Sequence, residues 1–420
     1  MSSGSEPAPS LLRDISYGLL GAPLAMAALP LFVQLPAYYA NHVGVALAPL
    51  GWILFSARLF DMMQDPLLGY WLDRRRTAQK KWMIVAGIIL ACTFAGLWKP
   101  PSPSQEGAGQ VLVLCWLALM LIMAYGAHSL ISIAYLSWGA RLPGGGLRAV
   151  GWREGAGLAG VLLASVIPPY LMANGVSALT QGLSAYCLSF AALLIVCLAM
   201  LIRQPQPISL QAPAQPWYAI LRQLYSNAHL RRLVWPYALN ALSMAIPATL
   251  ALFFIEDQLQ ASSMAGVFLA SYFLAAAGGL PFWILLARKT SLVQSWRYAM
   301  ALSILGFLGA FFLNADSAPL YFVICIITGV ALGADLALPP VLVGRMPGQE
   351  EVIGITYGLF TMLGKLAMSL ASLILPVLSA CGYESGRGSS SALLVTYAVV
   401  PCFLKGIALF MLSRRHWQEN

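Results

Sequence analysis

Long apolar runs recur along the chain from about residue 16 to residue 413, with short polar segments between them. A transmembrane helix needs about 20 apolar residues, because the hydrocarbon core of a bilayer is ~30 Å thick. Inside that core every backbone amide must be paired, and a helix pairs its amides within its own span. The runs therefore predict an all-α membrane protein that crosses the bilayer many times.

Twelve candidate spans result when the runs are divided at charges, prolines and glycines. They cover residues 16–40, 45–72, 82–99, 110–138, 150–172, 180–202, 231–256, 262–288, 294–313, 319–343, 352–380 and 391–413. Only 9% of the residues are charged, whereas a soluble domain carries about 25%. This low charge content favours one bundle in a bilayer over two or three soluble domains.

The basic residues indicate the orientation of the bundle. With the N-terminus in the cytoplasm, most of the 24 lysines and arginines fall on the cytoplasmic side, and among the loops only Lys99 and Arg387 lie outside. This asymmetry agrees with the positive-inside rule, and twelve spans then return the C-terminus to the cytoplasm. The orientation also explains the net charge of +9, so no nucleic-acid partner is expected. We expect a multi-pass protein of the plasma membrane, specifically a bacterial inner membrane.

The longest loop divides the twelve spans into six and six. This predicts an N-terminal half at residues 1–203, a cytoplasmic linker with a short amphipathic helix at 204–230, and a C-terminal half at 231–420. The strings ARLPG at 140–144 and GRMPG at 344–348 occupy equivalent turns of the two halves, which indicates a duplication. Two parallel six-helix halves are typical of the major facilitator fold, whose halves rock about a central site. We expect such a protein to function as a monomer.

The second span contains three charged residues inside its apolar sequence, Arg58, Asp61 and Asp65. Their spacing of three and four residues places them on one side of the helix. Each charge near the middle of a bilayer costs at least ~2.5 kcal/mol, so each needs a partner or a watery cavity. One interpretation is a structural Arg–Asp pair that joins two helices. The other is a carboxylate site for a coupling cation, Na⁺ or H⁺, with no further cofactor.

Three later spans also carry charges. Lys365 lies at about the same depth as Asp61, so a carboxylate of the second span is its expected counter-charge. Asp335 precedes the Pro339–Pro340 pair, and it either lines a cavity or caps a helix that breaks at the prolines. Lys405 lies near the cytoplasmic end of the last span, and we expect its ammonium group to extend to the membrane surface.

Further polar and aromatic residues are candidates for a solute cavity. Arg153 and Glu154 open the fifth span, where they form either a cytoplasmic gate pair or an ordinary interfacial ion pair. The rings of Tyr38, Tyr135 and Tyr357 either stack on a solute or pack within the bundle. The sequence alone leaves both alternatives open.

The string ARLFDMMQDPLLGYWLDRRR, residues 57–76, resembles the second-helix signature of a known transporter family. This family is the glycoside-pentoside-hexuronide:cation symporters, the melibiose permease group of the major facilitator superfamily. The shared pattern is D-x-x-x-D-P-x-x-G-x-x-x-D-R. The strings YYANHVG, LSWGARL, WREGAGLAG and GLFTMLGKLAMSLA also resemble the family at the expected helices, so the resemblance covers nearly the whole chain.

The resemblance implies a cation site on the second span. In the family, the residues that correspond to Asp61 and Asp65 carry the coupling cation. Gln64 and Ser129 stand where the family often has amide and hydroxyl partners of that cation. Lys365 matches a lysine of the eleventh helix that reports on the site. If the coupling ion is sodium, the metal ligands are therefore expected to be the two carboxylates.

The resemblance also implies a solute pocket, with one departure. Arg153 matches an arginine that lies toward the inner side of the sugar pocket, but the glycoside-binding acids of the family fall here on Ala25 and Ser132. Alanine and serine do not accept the paired hydrogen bonds that a carboxylate accepts from sugar hydroxyls. The pocket is therefore expected to be more apolar, which also suits a less polar solute or an amphiphile such as a lysolipid.

Together these observations predict a secondary transporter that couples a small organic, sugar-like or glycoside-like solute to Na⁺ or H⁺ by alternating access. The alternative is a proton-coupled exporter or an amphiphile transporter of the same fold. An enzyme is not expected, because the chain contains no HExxH, GxSxG or P-loop motif. Its seven cysteines show no CxxC spacing and no metal-binding spacing with histidine.

Overall fold

A computed structural model describes most of the 420 residues. The described residues are 11–29, 31, 34, 35, 38, 39, 43–45, 47–101, 107–142, 147–173, 176–205, 216, 218, 222, 226–346, 352–383 and 390–413. Within these ranges the regular structure is entirely helical, which agrees with the predicted all-α class. The residues of the predicted linker helix that carry its apolar face, from Trp217 to Tyr225, lie outside the described residues.

The chain separates into two compact units. The first comprises Met1–Ala214 together with Glu350–Leu359, and the second comprises Gln215–Gln349 together with Phe360–Asn420. The helices of the first unit are α1 (Leu11–Gly18), α2 (Gly21–Leu29), α3 (Leu47–Arg74), α4 (Gln79–Trp98), α5 (Gly107–Ala140), α6 (Leu147–Ala173) and α7 (Val176–Ile202).

Small residues let the helices of the first unit approach closely. A Cβ atom at Gly160 of α6 would lie 2.1 Å from the carbonyl oxygen of Ala22 on α2. A Cβ atom at Gly21 of α2 would lie 2.3 Å from the carbonyl oxygen of Arg153 on α6. Such contacts are typical of helix pairs in lipid, where close van der Waals packing replaces the hydrophobic driving force that acts in water. Helices α2 and α6 therefore form a tight pair within this unit.

The second unit contains the remaining helices. They are α8 (Ala228–Phe253), which continues into a π-helical turn at Phe254–Gln258, α9 (Ala265–Lys289), α10 (Leu292–Ala310), α11 (Ala318–Gly344), α12 (Ile353–Ser372), α13 (Ile374–Ala380), α14 (Ser391–Leu394), a second π-helical turn at Val395–Val399, and α15 (Val400–Ser413). Helix α12 begins in the first unit. Phe254 and Tyr397, one from each π-helical turn, stack with ring centroids 4.0 Å apart and so join the two turns.

Local caps fix where two of these helices begin. The Asn227 side chain accepts hydrogen bonds from the backbone amides of His229 and Leu230 at 2.9 and 3.2 Å, at the start of α8. The Ser291 hydroxyl accepts a hydrogen bond from the backbone amide of Gln294 at 3.1 Å, at the start of α10. Both residue types are preferred at this position because they satisfy amides that the first helical turn leaves without a partner.

In the part of the chain that the structure describes, eight helices are long and apolar enough to cross a membrane by length and composition. They are Gln79–Trp98, Gln110–Ala140, Gln181–Ile202, Ala228–Gln258, Ala265–Lys289, Ala318–Gly344, Ile353–Ser372 and Ser391–Ser413. Helices α3, α6 and α10 overlap three further predicted spans, and α1 with α2 overlaps the first. The full number of twelve spans and the cytoplasmic position of both termini stay predictions.

Candidate functional site

The two predicted carboxylates lie on the buried side of α3. Asp61 is 3% exposed and Asp65 is 1% exposed, although both stand in the middle of a 28-residue helix. The opposite side of the helix carries the exposed apolar side chains of Phe60, Met63 and Leu67. An apolar outer side suits lipid, and the acids therefore point into the protein.

The structure brings two of the predicted partners to Asp61. The hydroxyl of Ser129, on α5, donates to Asp61 Oδ1 at 3.0 Å. The side-chain amide of Gln64 donates to the same oxygen at 3.2 Å. A Cβ atom at Gly126 would lie 3.3 Å from Gln64 Oε1, so the glycine provides the room that the amide occupies. Two neutral donors hold this carboxylate in a defined position.

This arrangement collects the ligand type that alkali cations prefer. The carboxylate oxygens of Asp61, the hydroxyl oxygen of Ser129 and the amide oxygen of Gln64 are all hard oxygen donors. Asp65 follows one helical turn later on the same side. Among the described residues no group of three or more histidine, cysteine, aspartate or glutamate side chains is arranged to hold a metal ion. A site here therefore depends on hydroxyl and amide oxygens as well as on carboxylates.

The backbone of α3 beside Asp65 is in direct contact with the first turns of α12, within the first unit. A Cβ atom at Gly358 would lie 2.4 Å from the carbonyl oxygen of Asp65. A Cβ atom at Gly69 would lie 2.2 Å from the carbonyl oxygen of Gly354. The crossing therefore requires glycine, because any side chain would force the two helices apart.

Asp73, at the end of α3, holds the start of α12, and sequence reasoning did not assign it this contact. Its Oδ2 accepts a hydrogen bond from the backbone amide of Ile355 at 2.9 Å. Its Oδ1 lies 3.6 Å from a guanidinium nitrogen of Arg141. A carboxylate at a helix N-terminus is stabilised by the free amides and by the helix dipole. The spacing Gly69-x-x-x-Asp73 was the available signal, because it places both residues on the side of α3 that meets α12.

Two of the tyrosines expected in a solute cavity use their hydroxyls for contacts within the protein. Tyr38 donates to the carbonyl oxygen of Trp98 at 3.1 Å. Tyr135 donates to the carbonyl oxygen of Tyr17, and the two rings pack with centroids 4.4 Å apart. Tyr357, on α12, is also buried. In this conformation the first two therefore correspond to the packing alternative.

The remaining predicted residues of the first unit lie along α2, α5 and α6. Arg153 pairs with Glu154, its neighbour on α6, through a hydrogen bond from Nε to Glu154 Oε1 of 2.7 Å and a second, shorter contact. Ser132 and Ala25 are both half-buried, and Ala25 packs against Gly157. The contacts between Arg153 and Glu154 thus lie within one helix.

Arg58 and Lys365 are placed on different units. Arg58 lies on α3 with an exposed side chain, and Lys365 lies on the part of α12 that belongs to the second unit, where it is half-buried. The expected pairing of Lys365 with a carboxylate of α3 stays a prediction.

The second unit contains a buried ion pair that sequence reasoning did not recognise. Asp335 Oδ2 accepts a hydrogen bond from Lys405 Nζ at 2.6 Å. Asp335 Oδ1 accepts hydrogen bonds from Trp296 Nε1 at 2.8 Å and from Asn240 Nδ2 at 3.0 Å. These four side chains come from α11, α15, α10 and α8, and they define what we call the Asp335 cluster.

One expectation about this cluster is wrong, and one of two alternatives is excluded. Lys405 does not extend to the surface, because it is 1% exposed and its ammonium group has a carboxylate partner at its own depth. Helix α11 does not break at Pro339 and Pro340 but continues to Gly344, so Asp335 does not cap a broken helix. Neighbouring protein around a buried helix can compensate for the hydrogen bonds that prolines remove.

Comparisons with known proteins give a family and a fold. A family model described as MFS/sugar transport protein matches residues 15–416. No curated protein sequence matches the chain. A bacterial homologue of the iron transporter ferroportin, solved in an outward-facing state, is similar with a TM-score of 0.73, 17% identity and coverage of 97% of this chain and 100% of that chain.

Two further solved structures resemble the chain over almost their whole length. The fucose:proton symporter of E. coli gives a TM-score of 0.69 at 14% identity, with coverage of 97% of this chain and 98% of that chain. The human organic anion transporter gives a TM-score of 0.67 at 18% identity, with coverage of 96% and 98%. Similarity at these identities shows the fold, which is that of the major facilitator superfamily.

Proposed function

Because the chain belongs to the MFS/sugar transport protein family, whose members are membrane transporters and not enzymes, we propose that it is a cation-coupled symporter of a small organic solute. The coupling ion is Na⁺ or H⁺, and the solute is sugar-like or glycoside-like. Transport proceeds by alternating access, in which a central site opens to one side of the membrane at a time. We place the protein in a bacterial inner membrane as a monomer with both termini in the cytoplasm.

The observation that carries this proposal is the environment of Asp61. A mid-helix carboxylate that is 3% exposed receives hydrogen bonds from the neutral side chains of Ser129 and Gln64, and Asp65 lies one turn away. Burying two acids in a membrane protein costs several kcal/mol. A purely structural role does not explain why the chain keeps both. Binding a cation gives the two acids a function at this position.

The same geometry gives each residue a role in coupling. Asp61 and Asp65 bind the ion, while Ser129 and Gln64 position Asp61 and offer two more oxygen ligands. A bound ion neutralises carboxylates of α3. The backbone of α3 at Asp65 packs against Gly358 of α12. Occupancy of the site therefore changes the charge at a helix crossing, which biases one conformation over another.

The solute site is proposed from the predicted cavity residues. In the first unit, Arg153 and Ser132 supply the polar contacts, and Tyr38, Tyr135 and Tyr357 border the site after a change of conformation. The description of the family as sugar transport proteins and the similarity of fold to a fucose:proton symporter support a hydroxylated solute.

Uptake into proteoliposomes tests the proposal. A panel of labelled sugars and glycosides is offered with an inward Na⁺ gradient, an inward H⁺ gradient, or neither. We expect Asp65→Asn to abolish accumulation against a gradient while it leaves a folded protein, as judged by size-exclusion chromatography. Asp316→Asn is the matched control, because Asp316 is an exposed residue in a turn. Normal accumulation by Asp65→Asn would disprove the cation site.

The direction of transport decides between the symporter and the alternative. Inside-out and right-side-out vesicles expose opposite faces of the protein to the same gradient. If the solute accumulates on the side toward which the ion flows, the result supports symport. If the solute moves opposite to the flow of protons, the protein is instead a proton-coupled exporter. A lysolipid in the panel tests the amphiphile alternative.

A further inference from the structure

The Asp335 cluster contains polar groups that its own hydrogen bonds do not use. Both oxygens of the Asp335 carboxylate are occupied, by Lys405 on one side and by Trp296 and Asn240 on the other. The three donors come from three different helices, so the carboxylate is fixed in position and orientation.

The ammonium group of Lys405 has three N–H donors. Within the described part of the chain, Asp335 Oδ2 is its acceptor, and the side chain of Lys405 is almost fully buried. Two N–H donors of a charged group therefore point into the protein interior without an acceptor among the described side chains. Because a buried charged donor is costly to leave without a partner, these donors indicate a further ligand.

Asn240 presents the complementary group. Its amide nitrogen is used by Asp335, but its Oδ1 is buried and has no hydrogen-bond partner among the described residues. Asn240 is 3% exposed, so bulk water does not satisfy this oxygen. The acceptor on Asn240 and the donors on Lys405 thus belong to two side chains that both bind the carboxylate of Asp335.

We propose that Lys405 and Asn240 bind one hydroxyl group, which accepts a hydrogen bond from Nζ and donates one to Oδ1. Only a group that both accepts and donates fits this pair. An ionised carboxylate is excluded because it cannot donate to Asn240. A phosphate is excluded because its negative charge would face that of Asp335. A metal cation is excluded because Lys405 already provides the positive charge of the site.

The hydroxyl has two possible sources, a water molecule or a hydroxyl group of the transported solute. A water molecule needs only a small polar space with two to four hydrogen-bond partners, and Lys405 and Asn240 would supply two of them. A solute hydroxyl requires the cluster to open during transport, and that arm of the proposal rests on the proposed function. In both cases Asp335 is a positioning residue, since it orients Lys405 toward the hydroxyl.

Two matched variants separate this site from the ion pair. Asn240→Leu and Trp296→Phe each remove one N–H donor from Asp335 Oδ1. Only Asn240→Leu also removes the oxygen that accepts from the hydroxyl. An effect that is specific to Asn240→Leu therefore reports on the hydroxyl site rather than on the stability of Asp335.

The solute arm uses D-fucose, D-xylose, D-galactose and their mono-deoxy analogues as probes. Binding to purified protein in detergent is measured from the shift of the thermal unfolding midpoint with sugar concentration. We expect Asn240→Leu to weaken binding of a panel sugar about tenfold, as one lost hydrogen bond does, and Trp296→Phe less than twofold. The deoxy analogue that lacks the bound hydroxyl should bind the wild-type protein as weakly as it binds Asn240→Leu.

The water arm uses wild-type protein without sugar and needs no variant. An experimental structure that resolves ordered water should show density between Lys405 Nζ and Asn240 Oδ1, at ~2.8 Å from each. If this density is present and Asn240→Leu does not weaken sugar binding more than Trp296→Phe does, the site is assigned to water. No density together with equal effects of the two variants would overturn the proposal. The uphill transport assay with Asp65→Asn does not involve this cluster, so failure of the proposed function is recognised separately.

Discussion

Replacing Lys405 by methionine should destabilise the protein strongly, because it leaves a buried carboxylate without its counter-charge. Removing one partner of a buried ion pair costs about 3–5 kcal/mol. In this structure Asp335 keeps hydrogen bonds from Trp296 Nε1 at 2.8 Å and Asn240 Nδ2 at 3.0 Å, which still stabilise its negative charge. We therefore expect Lys405→Met to lower the free energy of unfolding by ~3 kcal/mol, the lower end of that range.

The double variant makes this expectation specific. Asp335→Asn combined with Lys405→Met removes both charges, and the asparagine oxygen still accepts from Trp296 and Asn240. The loss should then fall to about 1 kcal/mol, because a neutral pair needs no compensation for buried charge. The free energy of unfolding is measured for both single variants, the double variant and wild type by denaturant titration in one detergent. If the double variant loses as much as the two single variants together, the ion pair contributes nothing and the reasoning is refuted.

Two further predictions concern the first unit. Ser129→Ala should raise the concentration of Na⁺ or H⁺ that gives half-maximal uptake about fivefold, because it removes one hydrogen bond of ~1 kcal/mol from Asp61, and an unchanged ion dependence would contradict its role. Gly358→Ala should destabilise the protein by at least ~1 kcal/mol, because its Cβ would lie 2.4 Å from the carbonyl oxygen of Asp65. Gly266→Ala is the matched control, since no atom lies within 4 Å of its Cβ position, and equal unfolding midpoints for these two variants would show that the crossing is not tight.

The helical class and the position of the buried acids could be predicted from the sequence, because both depend on local patterns. Apolar runs of bilayer length define helices, and the spacing of Asp61 and Asp65 places them on one side of α3. The contact of Ser129 with Asp61 joins residues 68 positions apart, and the family resemblance named Ser129 only as a hydroxyl partner of the cation.

The Asp335 cluster could not be predicted in the same way. Lys405 lies a few turns from the end of its helix, and this position alone suits a side chain that extends to the surface. Its partner Asp335 lies 70 residues earlier, and only the packing of both α11 and α15 against α10 shows that the two charges share one depth. Similarly, Asp73 and Ile355 are 282 residues apart, so no local pattern relates them.

The contact of Gly358 with the backbone at Asp65 has a consequence for ion selectivity. In the proposed site, both acids belong to one continuous helix, and their α-carbons are separated by ~6 Å along its axis. A helix that is held against its neighbour cannot widen or narrow this spacing to suit ions of different size. The site should therefore discriminate among coupling ions by ionic radius, which a comparison of uptake driven by Li⁺, Na⁺, K⁺ and Rb⁺ gradients measures.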